Sequence, residues 1–282
     1  MTTILSPKDP LSITCDKLRY LGNGQVTFNR YFTTGVGLIE INQPERHNSL
    51  SGKMMVEFRD IILDLEQRQQ DDDLVALIVT GSRGKSFCAG IDLVFVREYM
   101  HGSMDNTETV NRLMHDTLTR LSRLPLITVA SISGAAFGGG TELITAFDYI
   151  CMDSSTILRF VQTRMGVSSP WGGARRLVAR IGRKYALKVL AGAPTIDAAY
   201  GLEIGLVDKV VNAKKKDEAY NTCLDGCLEL IEPFIYDQKT KERVSPAAVR
   251  GMKMLVSRSD DVHNDIDYEM LLFNSVVGSS KL

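Results

Sequence analysis

Apolar positions along the chain switch repeatedly between a period of two and a period near 3.6. Residues 25–31 and 37–42 read as paired strands, joined by a turn around Thr33, Thr34 and Gly35, and Pro44 ends the second strand. Leu50 and Ser51 lead into a stretch with apolar residues at Met54, Met55, Phe58, Ile61, Ile62 and Leu65. That spacing puts them on one face of a helix. Asp71, Asp72 and Asp73 form a solvated turn, and 74–80 is a continuous apolar run. A strand covered on both faces has this pattern.

The unit recurs with different details. A helix is predicted over 107–124, stopped by Pro125, and an apolar strand over 126–132. After a Gly-rich turn come a helix over 140–147, a strand over 149–152 and a short extended segment over 157–161. Gly172 opens a helix through Leu177 toward Ile181. Shorter helices over 183–191 and 196–201 and a last strand over 207–211 follow. From about Ala213 the pattern is helical, with breaks expected at Pro233 and Pro246. The expected fold class is α/β, a spiral of strand–strand–helix units with a helical C-terminal region. Residues 1–20 read as an N-terminal tail, 21–212 as the core, and 213–282 as helices that pack on the core or on a neighbouring subunit. The spiral carries no strict repeat of 20–50 residues, which argues against a solenoid.

Composition narrows the partners. Of 282 residues, 44% are hydrophobic and 24% charged, so disorder is excluded as the dominant state. Lys plus Arg is 33 against 34 for Asp plus Glu. Without a basic excess, no nucleic-acid partner is expected. The one compact basic run, Lys214 to Lys216, meets Asp217 and Glu218 at once and reads as a solvated loop. Five scattered cysteines make no disulfide framework, and Cys223 and Cys227 have no nearby His to complete a metal site. No metal is expected, and reduced thiols suggest the cytosol. The first 20 residues carry Asp9 and Asp16 and no long apolar stretch, unlike a secretory signal or a presequence. No run of about 18 apolar residues exists for a membrane span.

The chemistry concentrates at two junctions where an apolar stretch meets a Gly turn, residues 85–93 (KSFCAGIDL) and 134–143 (GAAFGGGTEL). Three glycines before a helix allow unusual dihedrals and close ligand approach. Two such turns could aim two backbone N–H groups at one oxygen, the arrangement that stabilises an oxyanion. The triplet is equally compatible with tight packing of a helix on a strand. Neither junction has the Gly-Lys-Ser/Thr ending of a P-loop or the GxGxxG of a dinucleotide site.

The ordered set PERHNSLS (44–51), SFCAGIDL (86–93), GAAFGGGTEL (134–143), WGG (171–173) and GLVDKVV (205–211) resembles the crotonase superfamily, the enoyl-CoA hydratase and isomerase relatives. The resemblance runs from about residue 25 to the C-terminus. It implies a crotonase-type spiral of ββα units, trimers that often pair into hexamers, an acyl-CoA substrate and no added cofactor. It also implies an oxyanion hole made by the N–H groups of Ile91 and Gly139, with Gly138 beside them. The segments that wrap CoA match Arg46, His47 and Ser49, and Ala89, Gly90, Asp92 and Leu93. Where relatives often carry a Lys for the CoA phosphate this chain has Val94, leaving Arg46, Lys53 or Arg97 as replacements.

Within the superfamily, RFVQTRMGV (159–167), PWGGARRLV (170–178) and ALKVLAGA (186–193) resemble the branch that decarboxylates ethylmalonyl-CoA and, secondarily, methylmalonyl-CoA. Hydratases in this superfamily place two Glu residues around a water. The first matches Glu142; the second falls nearest Arg164, and no Asp or Glu occurs in 160–173. Adding water needs one group to activate it and one to move the second proton. Decarboxylation needs an oxyanion hole and one acid to protonate the α-carbon, a role implied for Glu142. If Arg164 faces the pocket, it would pair with the substrate carboxylate. Trp171 either walls the acyl pocket or staples the following helix. His47, His101, His115 and His263 are not expected to be catalytic. The alternatives are an enoyl-CoA hydratase or isomerase and a non-catalytic acyl-CoA-binding member.

Overall fold

The computed structural model describes residues 4–67, 73–84 and 86–258. Asp71 and Asp72 of the acidic turn, Lys85, His263 and the rest of 259–282 lie outside these residues. In chain order the elements begin with α1 (Leu11–Leu18), β1 (Gln25–Thr33), β2 (Val36–Asn42), α2 (Gly52–Gln67), β3 (Ala76–Gly81) and β4 (Ser86–Cys88). Next come α3 (Leu93–Phe95), which runs on as a wider π turn over Val96–Met100, then α4 (Met104–Arg123), β5 (Ile127–Ile132), β6 (Ala135–Phe137) and α5 (Gly139–Ile144). The chain continues through β7 (Tyr149–Asp153), β8 (Leu158–Arg159), α6 (Gly173–Gly192), α7 (Ala198–Glu203), β9 (Lys209–Val211), α8 (Ala219–Ile235) and α9 (Pro246–Arg258).

Two sheets result. The larger has the order β1-β2-β3-β5-β7-β9; its first pair is antiparallel and the rest are parallel. Every residue of β3 and β5 is buried, which is why those runs show no polar alternation. The smaller sheet is parallel, in the order β4-β6-β8, and consists of strands of two or three residues. Helices α2 and α4 cover the core with Met54, Met55, Phe58 and Ile62 from one and Leu113, Met114, Leu118 and Leu121 from the other. Ser103 caps α4 by accepting from the Asn106 N–H. The helix stops at Arg123, because Pro125 disfavours helical geometry in the residue before it.

Two expectations are corrected and two hold. Residues 11–18 of the supposed tail form α1, which buries Leu18 completely, and Leu5 also joins the core. The helices expected over 172–181 and 183–191 are both present within Gly173–Gly192, parted at Gly182, where φ is 74° and ψ is 160° and the backbone is not helical. Pro233 does not break α8: it stands two residues before the helix end, where a missing N–H costs one hydrogen bond. The break expected at Pro246 is present: α8 ends at Ile235 and Pro246 begins α9, the position where its fixed φ and lack of a donor are harmless. Among the described residues no helix is long and apolar enough to cross a membrane.

Candidate active site

Neighbouring strands β4 and β6 end side by side, and each runs into one of the two Gly turns. After β4 the chain passes through Gly90 at φ +94°. After β6 it passes through Gly138 at φ +53°, a conformation that side chains disfavour, and enters α5. The two turns touch without side chains between them. A Cβ on Gly90 would lie 2.7 Å from the Gly139 nitrogen, and one on Gly140 only 2.0 Å from the Cys88 carbonyl oxygen. Cys88 is wholly buried, and burial pushes its thiol up to about 12, so it is a neutral packing group.

Leu50 forms a parallel bridge with Ile91. Its N–H donates to the Gly90 carbonyl at 2.7 Å, and its carbonyl accepts from the Asp92 N–H at 2.9 Å. Both Leu50 groups are thus taken by the residues flanking Ile91, which turns the Ile91 N–H to the opposite side. Neither this N–H nor that of Gly139 donates to a described residue.

Glu142 sits one turn into α5 and is 1% exposed. Its Oε2 accepts from Ser169 Oγ at 2.7 Å, the Trp171 N–H at 2.8 Å and the Gly173 N–H at 3.4 Å. Its Oε1 accepts from Gln162 Nε2 at 3.2 Å. One carboxylate thereby gathers the loop that leads into α6. Arg176 supplies positive charge nearby; burial lowers its guanidinium to about 10 against the opposing pull of Glu142. Arg176 itself donates to the Trp171 carbonyl at 2.7 Å and to Thr145 Oγ1 at 3.1 Å.

Trp171 is buried and lies against Gly139: a Cβ there would be 2.6 Å from two atoms of the indole ring. Its Nε1 donates to Asn111 Oδ1 at 3.1 Å on α4. The ring therefore packs on the Gly139 turn and ties the start of α6 to α4.

The two segments expected to wrap CoA are brought together. The His47 carbonyl accepts from the Ala89 N–H at 3.1 Å, beside the Leu50 bridge. Arg46, His47 and Leu93 are exposed there, while Ser49 and Gly90 are buried. Asn48 fixes this rim from within. Its Oδ1 accepts from the Gln43 N–H and Ser82 Oγ, and its Nδ2 donates to the Ser82 and Ser86 carbonyls.

Two of the assigned residues have their polar groups engaged within the protein. Both Asp92 oxygens are engaged within the protein, Oδ1 with the Val94 N–H that it caps and Oδ2 with Gln43 Nε2, so Asp92 is a scaffold group. Arg164 is exposed and donates to the Gly192 carbonyl at 2.8 Å. Of the replacements for the missing phosphate Lys, Lys53 is held by the Gly24 carbonyl and Glu57, whereas Arg46 and Arg97 are exposed. Sequence reasoning missed Gln162, Ser169, Asn111 and Asn48, all short polar groups whose importance comes from partners 20 to 60 residues away.

Over residues 31–241 the chain matches the family described as enoyl-CoA hydratase/isomerase. Ethylmalonyl-CoA decarboxylase of Rattus norvegicus is 37% identical over 230 residues, 81% of this chain and 71% of that protein. The Danio rerio protein of the same name is 41% identical over 223 residues, 78% of this chain and 70% of that one. Among solved structures, an enoyl-CoA hydratase from Bacillus anthracis superposes with a TM-score of 0.77 at 26% identity, covering 91% of this chain and 92% of that one.

Proposed function

The chain belongs to the enoyl-CoA hydratase/isomerase family, and from that premise we propose that it decarboxylates a branched malonyl-CoA, ethylmalonyl-CoA first and methylmalonyl-CoA second. The thioester oxygen lies between the N–H groups of Ile91 and Gly139. The bond from the α-carbon to the carboxylate breaks, CO2 leaves, and the electron pair moves into the thioester. The two N–H groups hold the resulting enolate where its charge develops. Glu142, which takes up a proton from water in each cycle, then delivers it to the α-carbon from Oε1, the oxygen with only one donor; for ethylmalonyl-CoA the product is butyryl-CoA. Trp171 walls the acyl side, and Arg46, His47, Ser49, Ala89 and Leu93 form the CoA rim.

The observation that carries this reading is the single carboxylate. The loop facing Glu142 supplies only donors, namely Gln162, Ser169 and the Trp171 and Gly173 N–H groups. A hydration needs a second proton-moving group there. The names of the similar decarboxylases support the same choice. The reading extends to a homotrimer or homohexamer, with the helical C-terminal region taking part in assembly. It also extends to the cytosol, a reducing compartment suited to five unbridged cysteines.

The test measures CO2 release from ethylmalonyl-CoA and methylmalonyl-CoA beside hydration of crotonyl-CoA. Release of CO2, fastest from ethylmalonyl-CoA, is expected. Faster hydration of crotonyl-CoA would overturn the reading in favour of a hydratase. Turnover of none of them, with butyryl-CoA still bound, would point to a non-catalytic acyl-CoA binder.

A further inference from the structure

Gln162 opens the 3₁₀ turn Gln162–Met165 and is 6% exposed. Its backbone carbonyl accepts from the Val167 N–H at 3.0 Å, which closes the turn. Its side-chain Nε2 donates twice, to the Gly138 carbonyl at 3.0 Å and to Glu142 Oε1 at 3.2 Å. Its Oε1 is buried and has no partner among the described residues. The amide orientation follows from chemistry. A flipped amide would set an oxygen against two acceptors and lose both bonds. Gln162 is thus held by its donor end alone.

The two acceptors are significant together. The Gly138 carbonyl belongs to the peptide unit whose other end is the Gly139 N–H. A donor on the carbonyl oxygen of a peptide draws electron density from its nitrogen and makes the N–H a stronger donor. The same carbonyl also accepts from Thr141 Oγ1 at 2.6 Å and from the Thr141 and Glu142 N–H groups at 3.0 and 3.2 Å, so among the described residues Gln162 is the one donor to it from outside the start of α5. The second acceptor, Glu142 Oε1, is the oxygen assigned to the proton. We propose that Gln162 is the positioning residue that couples the oxyanion hole to the proton carrier. One amide polarises the Gly138–Gly139 peptide and fixes Glu142 Oε1 relative to it. The assignment rests on the decarboxylase reading for its kinetics but not for its spectroscopy.

Two variants test it. Gln162→Met keeps the length and removes both bonds. A fall of about 10–100-fold in kcat is expected, smaller than the roughly 10²–10³ lost when an oxyanion donor itself is removed. KM for ethylmalonyl-CoA should change little, and in deuterated water the label should enter the α-carbon with less stereochemical preference. Gln162→Glu places a second carboxyl against Glu142 Oε1. Protonated, it still donates one bond; ionised, it donates none and repels Glu142. Its kcat should therefore approach the parent at low pH and fall as pH rises, along a limb that the parent lacks.

The independent readout is the thioester carbonyl stretch of bound butyryl-CoA, taken by difference infrared spectroscopy. The band should shift to lower wavenumber in the parent, and the shift should shrink in Gln162→Met. If the parent shows no CO2 release but the band behaves as stated, the function fails and the role of Gln162 stands. Equal band positions, with kcat and pH profile of both folded variants matching the parent, would make Gln162 a packing residue and overturn the proposal.

Discussion

Glu142→Gln is the most informative single change, because the carboxylate is both the assigned proton carrier and the anchor of the loop before α6. The carboxylate oxygen Oε2 accepts three hydrogen bonds. Bonds to a charged acceptor contribute about 1.5–3 kcal/mol each, against about 0.5–1.5 for neutral pairs. Neutralising the acceptor therefore removes about 1 kcal/mol from each, about 3 in all. The new NH2 group must also face something. With its oxygen kept toward Ser169 and Trp171, the amide nitrogen confronts Gln162 Nε2 across the 3.2 Å now spanned by a hydrogen bond. Two donors in opposition cost a further 1–3 kcal/mol or so, and relief of burying a charge offsets part of the sum. A net loss of about 3 kcal/mol lowers the melting temperature of a chain this size by roughly 6–12 °C. Calorimetry or a circular-dichroism melt reads the stability. A parallel assay of α-carbon protonation should show a fall of roughly 10²–10⁴, the usual contribution of a general acid. Lower activity with an unchanged melt would refute the anchoring argument. A lowered melt with full activity per folded molecule would refute the proton assignment.

Other changes probe separate parts of the site. Gly139→Ala drives a methyl group into the Trp171 ring; with the ring held by Asn111, overpacking should cost about 1–3 kcal/mol, and displacement of the N–H should lower kcat by about 10²–10³. Full activity in a folded variant would remove Gly139 from the oxyanion hole. Arg164→Met should leave KM for ethylmalonyl-CoA unchanged, since the guanidinium is exposed and tied to Gly192; a clear rise in KM would return Arg164 to the pocket. Asp116→Asn addresses acid stability. Burial pushes the Asp116 carboxyl up, but hydrogen bonds from Arg120 and Arg59 outweigh it and hold the group below its usual 3.8. A depressed carboxyl stabilises above that value and loses its contribution as pH falls beneath it. The variant should be less stable than the parent at neutral pH, with the gap closing under acid. Urea midpoints that stay equally separated from pH 7 down to pH 3 would sink this reasoning.

The long elements were legible because their burial is periodic. The apolar set Met54 to Leu65 gave the face of α2, and the unbroken runs gave β3 and β5. Strands β4 and β6 were not legible, and β8 was legible only as a short extended segment. Two or three residues are too few to show alternation, and only pairing with one another makes them strands. The Gly turns were legible as motifs, since a backbone that must approach another leaves Gly in the sequence. Arg164 misled for a physical reason. Its guanidinium has the right chemistry for a carboxylate, but a 3₁₀ turn aims neighbouring side chains in different directions, and Gln162 points inward where Arg164 does not. Nothing in the one-letter code distinguished the two.

The contact between the turns after β4 and β6 also bears on heredity. If the enolate is held by main-chain N–H groups, the part of the catalyst that does so is written in no side chain at all. As far as the donor is concerned the Ile91 side chain can drift within what its packing against the core allows, because almost any residue brings the same N–H. Only proline there deletes the donor outright. The glycines that let the turns meet are less tolerant, since a Cβ on Gly90 or Gly140 collides with neighbouring backbone. Random mutation would thus either leave the oxyanion device intact or collapse its geometry, with little in between. Gradual change of chemistry must come from the other wall, where Gln162 and Ser169 contribute replaceable side chains around one carboxylate. A lineage built this way inherits its enolate chemistry with its fold and diversifies at the loop before α6.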